Sequence, residues 1–468
     1  MLRRRIPKAA LDFGPLRTEL EVPAAFPPAV TEAAEAATRR PRLPAHDATD
    51  VPLMTVDPPG ARDLDQALHI AARPGGGYRV SYAIADVAAF VEAGDPVDVE
   101  ARLRGETLYA PGGRAPLHPP VLGEGAASML VGQDRPALLW TIDLDADGEQ
   151  VAVDLRRAMV RSRAQLDYPG LQAAFDAGTA PEGLRLLGEV GTRRQAIALA
   201  RGAIDLGLPD QEVLPSDHGG WTLAFRAQLP VERWNAQVSL LTGTAAAGLM
   251  LDAGIGLLRT LPPAGAEAVE RLRRGAAALQ VPWPDGASPG EAVASVDPSQ
   301  PRSAAFLELA SELLRGAGYT AFDGAPPAQP GHAGVGGPYA HVTAPIRRLA
   351  DRFTSEVCLA AGAGTEVPAW AREALPLLPD LMATSTRRAK TLDRATVDLV
   401  EAYVLQDREG EEFDAAVVDV SADDGMVVLD DPPVRARCDG AGLPLGERIR
   451  VRLEKADPAT RTVRFVAA

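Results

Sequence analysis

The sequence predicts an α+β chain: a β-rich body with packed helices, then a small closed β-barrel, with a short helical module in front. Three observations predict this class. Alternation of apolar and polar residues begins near residue 51, a helical portion follows, and the alternation returns after residue 410. Hydrophobic residues make up 46% of the 468 residues, which is an ordinary globular composition.

Residues 1–50 form the predicted helical module. Prolines punctuate this segment, and the Ala- and Glu-rich residues 29–37 come directly after Pro28, as in a helix whose first turn contains proline. The sequence leaves two interpretations open, a helix-turn-helix module and an arm that packs on the main body.

Residues 51–405 form the predicted main domain, which begins with strands. Residues 67–70 and 78–84 alternate on either side of a Pro-Gly-Gly-Gly turn, which predicts a hairpin. A second hairpin is predicted from residues 138–144 and 151–155.

The later part of this domain is helical. Apolar spacing predicts helices over 194–206 and 385–406, and residues 235–258 form a long, mostly apolar stretch. The glycines at 243, 248, 254 and 256 favour close packing of this stretch against another element.

Residues 409–468 form the predicted barrel. Five short strands in so few residues fit an OB-type barrel. The predicted strands are 413–420, 426–429, 434–438, 448–453 and 462–466. Arg435, Arg437 and Arg450 alternate with apolar residues. They form either a solvated face or an electrostatic groove for single-stranded nucleic acid.

Bulk composition excludes several classes of protein. Lys and Arg total 48 against 63 Asp and Glu, so any basic surface for nucleic acid must be confined to a cleft. Two cysteines exclude a disulfide framework and a cysteine zinc site. Neither a membrane-length apolar run nor an apolar core after the basic residues 3–5 is present, so we expect a cytoplasmic protein with no membrane partner.

Three carboxylates frame one turn early in the main domain. Asp57 follows an apolar run, a Pro-Pro-Gly turn comes next, and Asp63 and Asp65 occupy alternate positions. Such acids repel one another unless a cation lies between them, and Mg²⁺ prefers oxygen ligands. The stretch is either a metal site for phosphoryl chemistry or an acidic surface loop.

A basic stretch lies far downstream at residues 339–352. Thr343 and the proline two residues later predict a helix start, which with Arg347 and Arg348 would form a phosphate site. The alternative is that these arginines pair with nearby acids. For His341 the sequence favours a structural, hydrogen-bonding histidine over a general base. Tyr109, which precedes Ala-Pro-Gly, either stacks on a base or packs in the core.

The order of these motifs resembles the RNB-domain exoribonucleases, the ribonuclease II and ribonuclease R family. The shared stretches include Thr-Val-Asp-Pro-Pro-Gly-Ala-Arg-Asp-Leu-Asp-x-Ala and Ala-His-Val-Thr-Ala-Pro-Ile-Arg-Arg, and the resemblance covers roughly residues 47–405. The carboxyl-terminal barrel is similar to the S1-type RNA-binding domain of that family. The fold expected is therefore an RNB catalytic domain, a mixed β-sheet with packed helices, followed by an S1-like barrel.

The resemblance implies processive, two-metal hydrolysis of single-stranded RNA from its 3′ end to nucleoside 5′-monophosphates. Mg²⁺ is the expected ion and Mn²⁺ the alternative, and the chain is expected to act as a monomer. The implied catalytic residues are Asp57, Asp63, Asp65 and Arg347, and the implied metal ligands are Asp57, Asp63, Asp65 and Gln66. The resemblance implies RNA binding by Arg347 and Tyr109, and His341 and Arg348 belong to the matching motif without a role of their own. The residues expected to bind RNA are Tyr109, His341, Arg347, Arg348 and the barrel arginines Arg435, Arg437 and Arg450.

Two departures from the family pattern bear on function. Gln66 stands where the family usually has a fourth acid, so we expect weaker metal affinity. Residues 1–50 are too short for the two cold-shock barrels of bacterial members, which predicts tolerance of structured RNA with a 3′ overhang. The alternatives are an RNA-binding relative that has lost catalysis and a metal-dependent phosphohydrolase with another substrate.

Overall fold

The computed structural model describes residues 11–216 and 220–468. The helices in these ranges are α1 (Gly14–Glu19), α2 (Pro28–Arg39), α3 (Pro96–Arg104), α4 (Tyr168–Asp176), α5 (Leu187–Ala200), α6 (Pro230–Ala253), α7 (Ala266–Ala278), α8 (Pro289–Ala294), α9 (Pro301–Ala310), α10 (Leu349–Ala363), α11 (Ala369–Ala374) and α12 (Leu378–Leu405).

The strands in the same ranges are β1 (Leu53–Asp57), β2 (Gln66–Ala72), β3 (Tyr78–Ala85), β4 (Leu108–Ala110), β5 (Gly113–Ala115), β6 (Asp134–Leu144), β7 (Gln150–Asp167), β8 (Asp210–Pro215), β9 (Trp221–Arg226), β10 (Ile255–Thr260), β11 (Gly318–Asp323), β12 (Gly331–His332), β13 (Gly337–Pro338), β14 (Glu412–Val420), β15 (Asp424–Leu429), β16 (Arg435–Asp439), β17 (Arg448–Asp457) and β18 (Thr462–Ala467).

The mixed sheet of the main domain closes into a barrel with the strand order β1-β2-β3-β6-β7. Both predicted hairpins are confirmed as the antiparallel pairs β2–β3 and β6–β7. The barrel closes through a parallel pairing of β1 with β7, in which Asp57 lies opposite Asp167. Tyr82 and Trp140 of this sheet are fully buried. Closure places the loop after β1 at one rim of the barrel.

Helices α6 and α10 and the start of α12 join the apolar cluster of this barrel. Helix α6 differs from the sequence prediction at its end. The apolar stretch over 235–258 is a helix only to Ala253, because Gly254 adopts a left-handed conformation with φ of +72° and β10 begins at the next residue. The predicted close packing is confirmed at Gly243, where an added Cβ would lie 2.2 Å from the Tyr339 ring. It is wrong at Gly248, which faces open space.

The carboxyl-terminal strands form a second closed barrel with the order β14-β15-β16-β18-β17, so the predicted five-stranded barrel is confirmed. Its β16–β18 pair is parallel and its other pairs are antiparallel. Val451 and Phe465 are fully buried in the core. Helix α12 contacts β17 and β18 and thereby links the second barrel to the main domain.

The amino-terminal helices pack on different parts of the molecule. Phe13 and Leu16 join the apolar cluster of the second barrel, and Phe13 meets Trp221 edge-on at 5.2 Å. Val30 and Ala34 of α2 join a cluster beside the first barrel. The amino-terminal segment thus packs as an arm against both barrels. Among the described residues, α-helices long and apolar enough to cross a membrane are absent.

Candidate active site

The three acids predicted as a site lie at one rim of the first barrel. Asp57 ends β1, and Asp65 directly precedes β2. Ser128 fixes the loop between them, because its hydroxyl donates to the Arg62 carbonyl and accepts the Leu64 N–H. The role of Ser128 was not predicted, since a lone serine carries no local sequence signal.

The turn before α10 closes over this loop and corrects one prediction. Thr343 does not cap a helix, because α10 begins at Leu349. The preceding N–H groups are taken by carboxylates: Ala344 donates to the nearby Asp351 at 2.7 Å, and Ile346 donates to Asp65, distant in the sequence, at 2.7 Å. The predicted helix start at Thr343 is therefore wrong, and carboxylates of the same chain occupy the N–H groups there. Phosphate binding by Arg347 and Arg348 stays a prediction.

Asp65 and Arg347 form the central pair of the rim. Arg347 Nε donates to Asp65 Oδ2 at 2.8 Å, so Asp65 accepts hydrogen bonds at both oxygens. Asp65 is almost fully buried, whereas 46% of the Arg347 side chain is exposed. Burial raises the pKa of Asp65 to about 7, although the neighbouring guanidinium opposes that rise. The buried Asp65 thus holds the Arg347 guanidinium by Nε, while nearly half of the Arg347 side chain remains exposed to solvent.

Asp57 lies beside this pair with an unsatisfied carboxyl group. Its Oδ2 atom is buried and has no hydrogen-bond partner within the described residues. Burial raises the pKa of Asp57 to about 6, against the opposing charge of Arg347 and with a smaller contribution from Asp63. An unpaired buried carboxylate is costly unless it is protonated or meets a cation.

Asp63 is held by the β4–β5 hairpin. Tyr109 on β4 and Arg114 on β5 are opposite each other in this hairpin. The Tyr109 hydroxyl donates to Asp63 Oδ2 at 3.2 Å, and Arg114 Nη1 donates to Oδ1 at 2.5 Å. The Tyr109 ring remains largely exposed, so the prediction of core packing for this residue is wrong. Sequence reasoning assigned no role to Arg114, although the Pro-Gly-Gly turn could have paired it with Tyr109.

Gln66 is engaged inside the protein at both ends of its amide. Its Nε2 donates to the Thr343 carbonyl at 2.5 Å, and its Oε1 accepts from the Tyr82 hydroxyl at 2.9 Å. Gln66 therefore joins the acid loop to the downstream turn. Its assignment as a metal ligand stays a prediction.

His341 and Arg348 lie in a half-buried network behind the rim. The Tyr319 hydroxyl meets His341 Nδ1 at 2.6 Å, and burial holds the pKa of His341 well below its usual value, so the ring is neutral. Arg348 pairs through two nitrogens with Asp351, at 2.5 and 2.8 Å. Their assignment to RNA binding stays a prediction.

The three arginines of the second barrel that were predicted to bind RNA each meet an acid. Arg435 pairs with Glu308 of α9 at 2.6 Å, and Arg437 pairs with Asp424 at 2.9 Å. Arg450 lies 3.2 Å from Glu412 and 3.3 Å from Asp414. The solvated-face interpretation thus describes the contacts of Arg437 and Arg450, whereas Arg435 lies against α9. The role of all three in RNA binding stays a prediction.

The donor set of the rim fits a divalent cation in part. Asp57 offers a buried free oxygen, and Asp63 lies close enough to influence its charge. Within residues 11–216 and 220–468, however, groups of three or more Asp, Glu, His or Cys arranged as a preformed metal site are absent. Asp65 and Asp63 are occupied by Arg347 and Arg114, so an ion would meet Asp57 first.

Comparison with known families identifies two parts of the chain. The family described as RNB domain matches residues 45–359. The family described as RNase II-type exonuclease C-terminal S1 domain matches residues 411–468. The chain is 28% identical over 392 residues to the exosome complex exonuclease RRP44 homolog A of Arabidopsis thaliana, covering 81% of this chain and 42% of that protein. The chain thus spans less than half of that relative's length.

Solved structures show the same fold at low identity. An RNase R of Mycoplasma genitalium, in complex with ribose-methylated single-stranded RNA, has a TM-score of 0.85 at 17% identity, over 97% of this chain and 77% of that chain. Yeast Ssd1, described as a pseudonuclease, has a TM-score of 0.67 at 17% identity, over 90% of this chain and 52% of that chain. The fold is therefore shared by a protein named as a ribonuclease and by one described as a pseudonuclease.

Proposed function

The chain belongs to the RNB family, and from that premise we propose that it is an exoribonuclease that shortens RNA from the 3′ end and releases nucleoside 5′-monophosphates. One observation carries the proposal. The half-exposed Arg347 guanidinium, the acids of the loop after β1 and the exposed Tyr109 ring meet at one rim of the first barrel.

Arg347 is proposed to bind the phosphate next to the scissile bond. Nε is held by Asp65, and within the described residues it is the atom of the guanidinium that hydrogen-bonds. The remaining donors of the fork match a phosphate oxygen pair and would stabilise the charge that builds on the non-bridging oxygens. Asp65 thus orients Arg347 and keeps it from collapsing onto Asp57.

Asp57 and Asp63 are the residues proposed to hold a divalent cation, Mg²⁺ or Mn²⁺. Such an ion would supply Lewis-acid stabilisation of the phosphate and lower the pKa of a bound water. The free buried oxygen of Asp57 supports this assignment. The second ion expected from the family resemblance stays a prediction, because Gln66 and Asp65 are engaged by partners within the protein.

Tyr109 is proposed to stack on a base near the 3′ end. More than half of its surface is exposed, and its hydroxyl is held by Asp63, so the ring is fixed at the rim. Stacking on aromatic rings is tolerant of sequence, which suits an enzyme that removes every nucleotide in turn. Processive action on single-stranded 3′ ends is part of the proposal.

The test is a cleavage assay with 5′-labelled RNA and Mg²⁺ or Mn²⁺. We expect stepwise shortening and mononucleotide release, with Asp65→Asn at least about 10²-fold slower because Arg347 loses its charged anchor. The matched control is Asp98→Asn, since Asp98 is an equally buried acid paired with Arg352 elsewhere in the body. An unchanged rate in Asp65→Asn would remove Asp65 from this role. A duplex with a 3′ overhang, assayed in parallel, tests tolerance of structured RNA.

The second candidate function is RNA binding without cleavage. Gln66 favours it, because the position of the fourth acid is filled by a neutral amide that joins two segments. Intact RNA recovered in a stable complex, with either metal, would support this alternative. A monomeric, cytoplasmic protein stays a prediction, and sedimentation of the purified chain measures its oligomeric state.

A further inference from the structure

We propose that Arg114 is a resident cation that competes with the divalent ion for Asp63 and thereby sets the metal affinity of the site. The inference rests on the proposed function only in taking Asp57 and Asp63 as the metal-binding acids. It concerns a residue outside the motifs that identified the family.

Arg114 is anchored between two acids. Its Nη1 meets Asp63 Oδ1 at 2.5 Å, and its Nη2 meets Glu124 Oε1 at 2.7 Å. The exposed fractions of the side chains are 24% for Arg114, 11% for Asp63 and 23% for Glu124, so the pairs are shielded from solvent. Shielding makes such a charge pair stronger than an exposed one.

The hairpin leaves Asp63 without a free oxygen. Tyr109 occupies Oδ2 and Arg114 occupies Oδ1, and the two residues face each other across the β4–β5 hairpin. A cation that binds Asp63 at Oδ1 must therefore displace a guanidinium, whereas Asp57 Oδ2 is buried and has no hydrogen-bond partner within the described residues. The positive charge of Arg114 also repels an incoming divalent ion.

Glu124 is a second ion-pair partner for Arg114. Arg114 can remain paired with Glu124 when it releases Asp63, so displacement does not leave a shielded cation alone. Arg62 also approaches Glu124, at 3.5 Å, but 67% of its side chain is exposed and it makes no ion pair with Asp63 in the described residues. Arg62 is thus a cation of equal charge near the same acids that lacks the proposed role.

The experiment measures binding of Mn²⁺ alone to the full chain, by calorimetry and by the electron paramagnetic resonance signal of free Mn²⁺, without RNA. We expect Arg114→Met to bind Mn²⁺ about tenfold more tightly than the natural chain, and Arg114→Lys to be intermediate because lysine keeps the charge but loses the fork. Arg62→Met, the matched control, should change the affinity less than about threefold. Thermal melting confirms that each variant is folded.

A double-mutant cycle tests the place of Glu124. Glu124→Gln should weaken Mn²⁺ binding in the natural chain, since Arg114 is left with Asp63 as its charged partner, and should have little effect in the Arg114→Met background. Equal Mn²⁺ affinities of the natural chain and Arg114→Met, including no binding by either, would overturn the proposal. RNA cleavage by the natural chain is measured separately, so failure of the exoribonuclease assignment is distinguishable from failure of this inference.

Discussion

The rim of the first barrel and the surface of the second barrel both combine arginines with carboxylates, but they use them differently. On the second barrel, Arg437 and Arg450 pair with acids that are themselves partly exposed. At the rim, Arg347 pairs with an acid whose side chain is 2% exposed, while nearly half of the arginine side chain remains open. The ion pairs on the second barrel neutralise its surface, whereas the pair at the rim leaves the Arg347 cation exposed.

The difference lies in which partner is buried. An exposed pair is screened by water and contributes little, so either member can be replaced at small cost. A buried carboxylate must keep its donors, because leaving it unpaired is expensive. Asp65 therefore fixes the position of Arg347, and the exposed side of the guanidinium is free to meet a substrate. The exposed ion pairs on the second barrel do not fix the position of an arginine in this way.

The largest expected effect comes from comparing Arg347 with Arg450. The exposed fractions of their side chains are similar, 46% and 52%. Arg347→Met should lower the cleavage rate by about 10²- to 10³-fold, since it removes a donor to the developing charge. Arg450→Met should lower the RNA affinity by no more than about threefold. Single-turnover cleavage and filter binding measure the two quantities.

Comparable effects of the two substitutions on cleavage would break the comparison between the regions. Arg347→Lys serves as the conservative variant, because it keeps the charge near Asp65 and loses the planar fork. Partial recovery in Arg347→Lys would show that charge and geometry both contribute. Circular dichroism checks that loss of the Asp65 partner has not unfolded the rim.

Sequence patterns predicted the two regions unequally well. The strands of both barrels were predictable, because alternation depends on which face of each strand is buried. The turn at 343–348 was not predictable, because its N–H groups bond to carboxylates that local capping signals cannot reveal. Ile346 bonds to Asp65, which lies 281 positions earlier in the chain. Gln66 was predicted from the family pattern as a weakened ligand, whereas its contacts are those of a connector.

The next effect concerns Glu401, which joins α12 to the second barrel. It is 4% exposed and accepts hydrogen bonds from Gln211 Nε2 at 2.8 Å and from the Arg435 N–H at 2.7 Å. Burial raises the pKa of Glu401 from its usual value of 4.5 to about 7. The folded chain thus holds a proton that the unfolded chain has released, and stability falls as pH rises from about 4.5 to about 7.

Glu401→Gln keeps the acceptor and removes the charge. We expect it to raise the free energy of unfolding at pH 8 by up to about 3 kcal/mol and to change it little at pH 5. Denaturant titrations at the two pH values measure this difference. The control is the exposed Glu447→Gln, which should have the same small effect at both. A gain in stability at pH 5 equal to that at pH 8 would contradict a buried charge at this junction.

The smallest effect separates the two functions of Tyr109 at the rim. Tyr109→Ala should weaken binding of single-stranded RNA by about tenfold, because stacking of one base contributes ~1–3 kcal/mol. Tyr109→Phe keeps the ring and loses the hydrogen bond to Asp63, so RNA affinity should stay within about twofold while Mn²⁺ binding strengthens at the released oxygen. Fluorescence anisotropy and Mn²⁺ calorimetry measure the two quantities. An equal loss of RNA affinity in Tyr109→Phe and Tyr109→Ala would show that the hydroxyl, and not stacking of the ring, binds RNA. The rim would then bind RNA through polar contacts alone, as an exposed charged surface does.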